Sequence, residues 1–230
     1  MNNILQIGIF PIVLTLGAFR IGQLCQKKGK LALFNPTLIA MILVVLFLLV
    51  TGMDPKDYAA GTSHISWLMT PATISLAIPM YEQFQILRKN LAAVVVGVAA
   101  GTASCLLFLL AGGLVLKLNP QILLSILPKS ITTAIGVPLS ELFGGLGALT
   151  TAAIIVTGIL GNMLGQSLCR MLRITDPVAQ GVAFGTTAHV IGTAKAGEIS
   201  PLTGAASSLS LVVAGLMTAC LFPMLTQMVL

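Results

Sequence analysis

Five stretches without an acidic or basic side chain, apart from one histidine, constrain this chain more than anything else in it. They are Leu31–Met53, Tyr58–Tyr81 (with His64 inside), Asn90–Leu116, Leu142–Cys169 and Ile199–Leu230. A helix that crosses a bilayer needs roughly 20 mostly apolar residues, and each run is long enough. Hydrocarbon offers no water to backbone N–H and C=O groups, so a spanning segment must bond them internally, as a helix or a closed barrel. Barrel strands alternate apolar and polar residues over short segments, and these runs do not alternate. With 57% hydrophobic and 8% charged residues, the chain carries far fewer charges than the roughly 25% of a soluble domain. The expected fold is therefore an all-α polytopic membrane protein, one domain over residues 1–230.

Proline and its capping neighbours divide the chain into helical segments at roughly Ile4–Gln26, Pro36–Gly52, Ser63–Pro79, Leu91–Leu116, Pro120–Glu141, Leu146–Leu172, Pro177–Glu198 and Leu202–Val229. Asn35-Pro36, Asn119-Pro120 and Asp176-Pro177 each put a capping side chain before a proline suited to a first helical turn. The N-terminal Met1-Asn2-Asn3 lacks the basic flank of a secretory signal, so the first segment is expected to be retained. Lysine and arginine set orientation. Lys27, Lys28 and Lys30 make the first loop cytoplasmic and the N-terminus external, and Arg88 and Lys89 then fall inside as well. If all eight segments crossed, Arg170 and Arg173 would lie outside. A re-entrant Pro120–Glu141 returns them to the cytoplasm. Pro177–Glu198, with Gly181, Gly185, Gly192 and Gly197, is the second weak span. The architecture expected is thus six to eight helical segments, two of them broken or re-entrant. Two such segments entering from opposite faces and meeting near the midplane are how many secondary transporters build a site, with inverted repeats and elevator-like motion. Thr132-Thr133-Ala134, Thr150-Thr151-Ala152 and Thr186-Thr187-Ala188 hint at a repeat.

Both weak spans carry the polar residues. In the first, Lys129, Thr132, Thr133, Gly136 and Ser140 would share one face of a helix, with Ser130 beside them. A cation in a spanning segment costs about 2.5–3.5 kcal/mol on insertion scales and usually faces a cavity or a partner; otherwise it lies in a loop or snorkels to the interface. In the second, His189 and Thr193 lie one turn apart with Thr186 behind them, and Lys195 and Glu198 can pair at i,i+3. His189 titrates near neutral pH and could carry a proton; it could equally satisfy a neighbouring carbonyl. Glu82 and Glu141 end helices, as interfacial acids or as gate partners, Glu82 with Arg88 or Lys89. Tyr58, Trp67 and Tyr81 flank the third segment like interfacial anchors. No catalytic signature is present, and the acids and the two histidines, His64 and His189, are too scattered for a metal site. Cys25, Cys105, Cys169 and Cys220 stand singly, without metal-ligand or disulfide spacing. The net charge of +6 sits at membrane ends and does not point to nucleic acid.

Leu127-Pro128-Lys129-Ser130-Ile131-Thr132-Thr133 and the Gly185–Glu198 run resemble the LrgB/CidB family. So do Asn35-Pro36, Pro79-x-x-Glu82-Gln83 and Gly204-Ala205-Ala206-Ser207-Ser208-Leu209. Many members carry proline where this chain has Ala134, and arginine is common where it has Lys195. The family includes bacterial antiholin-like proteins named for control of murein hydrolases and autolysis, a plastid glycolate and glycerate carrier, and members linked to pyruvate uptake. The resemblance implies a carrier of small monocarboxylates in the bacterial cytoplasmic membrane, without a cofactor, acting with a small holin-like partner of the LrgA/CidA type. On this reading Lys129, Ser130, Thr132, Thr133, His189, Thr193 and Lys195 bind substrate, and His189, Glu198, Glu82 and Glu141 serve coupling or gating. A homodimer is expected, as is common for elevator-like carriers. The alternative it implies is an antiholin-like regulator without a dedicated substrate.

Overall fold

A computed structural model describes residues 9–28, 36–68, 71, 74–75 and 77–229. Among these residues every regular element is helical. Four helices are long and apolar enough to cross a membrane: Ile9–Lys27, Leu91–Val115, Gly147–Met171 and Pro201–Thr226. The chain forms two compact units, Met1–Ser75 and Leu76–Leu230.

In the first unit, α1 (Ile9–Lys28) and α2 (Pro36–Thr51) pack together. The bare α-carbon of Gly22 admits the backbone of Pro36, since a Cβ there would lie 2.5 Å from the Pro36 carbonyl oxygen. Helix α3 (Pro55–Gly61), capped by the Asp54 side chain, docks on α1. There Gly61 accepts the Pro11 ring, and Thr15 Oγ1 meets the Tyr58 hydroxyl at 2.6 Å. Asn35 and Lys30 lie outside the described residues. The single helix expected over Ser63–Pro79 falls partly outside them too. Where it is described it is not continuous: α4 (Ser63–Trp67) ends in a turn at Leu68, and Pro79 sits within the separate α5 (Ala77–Glu82).

The second unit is built on three long helices: α7 (Leu91–Val115), α10 (Gly147–Met171) and α12 (Pro201–Thr226). Short α5 and α6 (Phe84–Lys89) precede them. Between the long helices lie the two broken segments. The first is α8 (Pro120–Ile126), a non-helical stretch over residues 127–132, and α9 (Thr133–Leu142). Leu123 packs on Gly113 near the end of α7, and Leu127 joins the core cluster that holds Leu106 and Leu110. Helix α8 therefore runs back along α7. Helix α9 then reverses again. Ser140 Oγ donates to the Leu124 carbonyl at 3.3 Å, and a Cβ on Gly136 would lie 3.3 Å from the Pro128 carbonyl oxygen. The segment is a re-entrant hairpin (hairpin 1) whose tip is residues 127–132.

The second broken segment, α11 (Pro177–Ile199), is helical except at His189 (φ 42°, ψ −139°). This residue reverses the chain. A Cβ on Gly192 would lie 3.0 Å from the Phe184 carbonyl oxygen, a contact that a straight helix could not make eight residues apart. Arm 177–188 runs antiparallel to α10, with Phe184 on Gly165 and Ala188 on Gly161, and arm 190–199 folds back so that Ala196 clusters with Phe184 and Cys169. This is hairpin 2.

Its packing against α12 is backbone-close. Cβ atoms on Gly181 and Gly204 would lie 2.5 Å from the Thr203 carbonyl oxygen and 2.9 Å from the Gly197 Cα. In a bilayer, where lipid is as apolar as leucine, such small-residue contacts are what hold helices together. Residues Thr203 to Ser208 are accordingly all buried.

Matching caps set both hairpins. Helices α7 and α10 end in Schellman turns with Lys117 (φ 50°) and Arg173 (φ 56°) in the left-handed region. The bonds Leu118 N–H to Gly113 O (2.9 Å) and Ile174 N–H to Cys169 O (2.8 Å) close them. Asn119 and Asp176 then cap the following Pro120 and Pro177 helices. Pro120 and Pro177 are 57 positions apart, as are Thr132 and His189, where the breaks fall. The architecture thus contains a structural repeat of long helix plus hairpin. The chain reverses three times between the two long helices, from α7 to α8, from α8 to α9 and from α9 to α10, so α7 and α10 are antiparallel and the repeat is inverted. The Thr-Thr-Ala triplets do not mark it: residues 132–134 open the second arm of hairpin 1, whereas 186–188 close the first arm of hairpin 2.

Candidate functional site

The two hairpins enter the unit from opposite ends, and each long helix touches hairpin 2 with one half and hairpin 1 with the other. On α7, Gly97 and Gly101 face Val182 and Thr186, while Gly113 faces Leu123. On α12, Ser207 bonds Thr193, whereas a Cβ on Gly215 would lie 3.0 Å from Ile135 Cδ1, and Phe222 stacks near Phe143 with centroids 5.5 Å apart. On α10 the junction falls on one residue. The Ile154 side chain packs on Gly136 of hairpin 1, and its carbonyl takes His189 Nε2 of hairpin 2 at 2.9 Å. The tip of hairpin 2 and the first turn of α9, just beyond the tip of hairpin 1, therefore meet at Ile154, about a third of the way along a 25-residue helix.

His189 is buried, and its ring lies on the bare face of Gly158, where a Cβ would stand 2.6 Å from both Cε1 and Nε2. Bonding a carbonyl makes Nε2 the protonated donor. A non-glycine residue at positive φ with this ψ occupies a region that glycine dominates in tight turns, at a cost of order 1–3 kcal/mol. The surroundings hold it there. Thr193 Oγ1 donates to the His189 carbonyl at 2.9 Å and shares a 2.8 Å bond with Ser207 Oγ, and Asn162 Nδ2 donates to the Ile191 carbonyl at 3.0 Å. Non-helical backbone at membrane depth survives only where protein or a water-filled cavity covers it, and here α10 and α12 cover it.

Hairpin 1 differs at its tip. Lys129 is half-buried in the turn, and Ser130 and Ile131 are buried. The expectation that Lys129 shares a helical face with Thr132, Thr133, Gly136 and Ser140 is corrected. Helix α9 starts only at Thr133, because Pro128 and the turn interrupt the period, and the buried face is Gly136 with Ser140, against α8 and α10. Thr132 is the N-cap of α9 but its side chain does not cap. In this it resembles Gln83 and Asn90, ahead of α6 and α7, and differs from Asn119, Asp176 and Ser200, which accept a first-turn N–H. The N-terminus of α9, with its partial positive charge, opens at the tip without a side-chain cap.

The remaining candidates lie away from the tips. Lys195 pairs with Glu198 at 2.7 Å, as the i,i+3 spacing anticipates, on the second arm of hairpin 2 and partly exposed. Glu141 is exposed at the end of α9, beside Gly147. Glu82 is exposed at the end of α5, and the one ion pair among the described residues is Lys195–Glu198, so Glu82 is not tied to Arg88 or Lys89. Sequence reasoning missed the parts of Ile154, Asn162 and Ser207, which hold His189 or the tip beside it. A carbonyl acceptor leaves no trace in residue identity, but Ser207, within a run of small polar residues on an apolar helix, was a readable signal.

No solved structure matches the chain. A family model described as the LrgB-like family matches residues 15–228, which span both hairpins and all three long helices. The chain is therefore a member of the LrgB-like family and, with its apolar helices, a multi-pass membrane protein of that family.

Proposed function

We propose that the protein is a secondary transporter of small monocarboxylates of the glycolate, glycerate, pyruvate and lactate class, working by alternating access at the junction of the two hairpin tips. The observation that carries this reading is the meeting of two oppositely entering re-entrant hairpins at Ile154. One of them brings a side-chain-uncapped helix N-terminus and Lys129 in the same tip. Half-helix N-termini aimed at anionic groups are a recurring carrier device. Lys129, with Ser130, Thr132 and Thr133, holds the carboxylate. His189 and Thr193, on hairpin 2, complete the site, and Lys195, Glu198, Glu82 and Glu141 serve at its approaches. Proton coupling would fall to His189 or Glu198.

The end of the second unit that carries Arg88, Lys89, Arg170 and Arg173 faces the cytoplasm on this reading, in keeping with the positive-inside bias. The N-terminus lies outside on the same reading, because Lys27 and Lys28 at the end of α1 would also face the cytoplasm. A homodimer and a small holin-like partner of the LrgA/CidA type belong to the same reading.

The test is uptake of labelled glycolate, pyruvate and lactate into proteoliposomes, with and without a pH gradient. Wild type should accumulate at least one of them, and Lys129→Ala should lose uptake while inserting and unfolding normally. Wild-type activity in Lys129→Ala would remove this assignment of the anion site. Folded wild type that moves none of these acids would shift the assignment to an antiholin-like regulator.

A further inference from the structure

Helical serines and threonines in this chain follow a strong habit. Thr150, Thr151, Thr187, Thr193, Ser125, Ser208 and Ser210 all donate to the carbonyl four residues back. That bond is the default for a hydroxyl with no water nearby. Thr102 and Thr186 break the habit. Both are nearly fully buried, at 1% and 4% exposure, and both hydroxyl oxygens are without a hydrogen-bond partner. A buried donor left unmade carries its full desolvation penalty, so native structures seldom leave one without a reason.

The two orphans are neighbours in the fold. The Thr186 methyl faces Gly101, where a Cβ would stand 2.9 Å from its Cγ2, and Thr102 is the next residue along α7. Thr102 stands where α7 passes from hairpin 2, contacted at Gly97 and Gly101, to the leucine cluster of hairpin 1 that begins at Leu106. Thr186 lies three residues before the tip at His189. A third orphan, Thr218, lies between the Gly215 and Phe222 contacts, along hairpin 1 and away from this junction.

We infer that Thr102 and Thr186 form a neutral hydrogen-bonding subsite that recognises the hydroxyl or oxo substituent next to the carboxylate of the transported acid. This rests on the transporter reading above and deepens it. A threonine hydroxyl both donates and accepts, so it suits an alcohol or a ketone equally. The carboxylate is left to Lys129 and the start of α9. Both hydroxyls are shut off from solvent in this conformation, so the subsite opens when the tip of hairpin 2 parts from α7. A site built to bond a polar substituent discriminates against the analogue lacking it, because its own groups are then left unpaired.

Lactate and propionate, which differ by that hydroxyl, are the probes. Uptake by proteoliposomes is measured for wild type, Thr102→Val, Thr186→Val and the hydroxyl-keeping Thr102→Ser and Thr186→Ser, together with thermal unfolding in detergent. The valine variants should unfold at the wild-type temperature or above, because the methyl replaces an unsatisfied hydroxyl. Their KM for lactate should rise about tenfold or more, with propionate uptake unchanged, and the serine variants should keep the wild-type KM for lactate. Valine variants with an unchanged KM for lactate, with equal losses for both acids, or with lowered unfolding temperatures would overturn the subsite while leaving the transporter reading intact. Wild-type protein that moves neither acid would overturn the transporter reading, and this subsite with it.

Discussion

Gly158→Ala puts the latch of hairpin 2 to a quantitative test. The added Cβ would lie 2.6 Å from Cε1 and Nε2 of His189 and 2.9 Å from Ile191 Cδ1, against ordinary contact at 3.4–4 Å. The imidazole must retreat by about 1 Å, which takes Nε2 from 2.9 Å to beyond hydrogen-bonding reach of the Ile154 carbonyl. Loss of a buried bond costs about 1–3 kcal/mol, and overpacking adds about 1–3 kcal/mol. At roughly 2–4 °C per kcal/mol for a chain of this length, thermal unfolding in detergent should fall by roughly 4–24 °C. Gly112→Ala is the control: it has open space within 4 Å, so the change should be within about 1 kcal/mol and in the favourable direction. In a His189→Gly background, which removes the ring and relaxes the positive φ, Gly158→Ala should cost about 1–3 kcal/mol less than in wild type, a coupling typical of residues in contact. An unfolding temperature for Gly158→Ala equal to wild type, or strictly additive costs in the double variant, would refute the latch.

Two further outcomes follow from the same packing. Ser207→Ala removes the bond that ties α12 to Thr193 and should lower stability by about 1 kcal/mol; infrared or hydrogen-exchange measurements should show the loosening in arm 190–199 rather than in hairpin 1. Lys195→Ala should leave stability within about 0.5 kcal/mol of wild type, because a partly exposed i,i+3 pair contributes little. A large drop in unfolding temperature would mean that Lys195 holds hairpin 2 together.

Much of this architecture could be read from residue order. Pro120 and Pro177, each behind a capping side chain, begin the two hairpins, and the displaced charges Arg170 and Arg173 required an even number of passes between α7 and α10. The glycines of the second segment were legible as weakness in a span. Their use was not: Gly181 and Gly185 exist for the close approach of α12, which depends on a partner more than a dozen residues away. The tip of hairpin 1 misled helical periodicity, because residues 127–132 leave the helix just where the polar stripe seemed to begin. The turn at His189 was hidden most deeply, since the modest enrichment of histidine at positive φ falls mostly in the left-handed helical region, away from the ψ of −139° found here. Only the surrounding bonds from Thr193 and Ile154 make that backbone tolerable. Thr102 sat beside Gly101 in the middle of an apolar run, and its failure to bond its own helix is a matter of rotamer, which composition does not encode.

The unequal tips divide labour between the two hairpins. Hairpin 1 turns over six residues and hairpin 2 over one. A six-residue loop has several soft dihedrals and can reshape itself around a guest while its arms stand still. A single pivot has no slack: its neighbours are already helical on both sides, so any excursion of that tip must swing a whole arm or unlatch the ring from α10. One tip is therefore compliant and the other behaves like a hinged bolt. On the carrier reading proposed above, the two directions of passage, though framed by an inverted repeat, would meet different mechanical resistance.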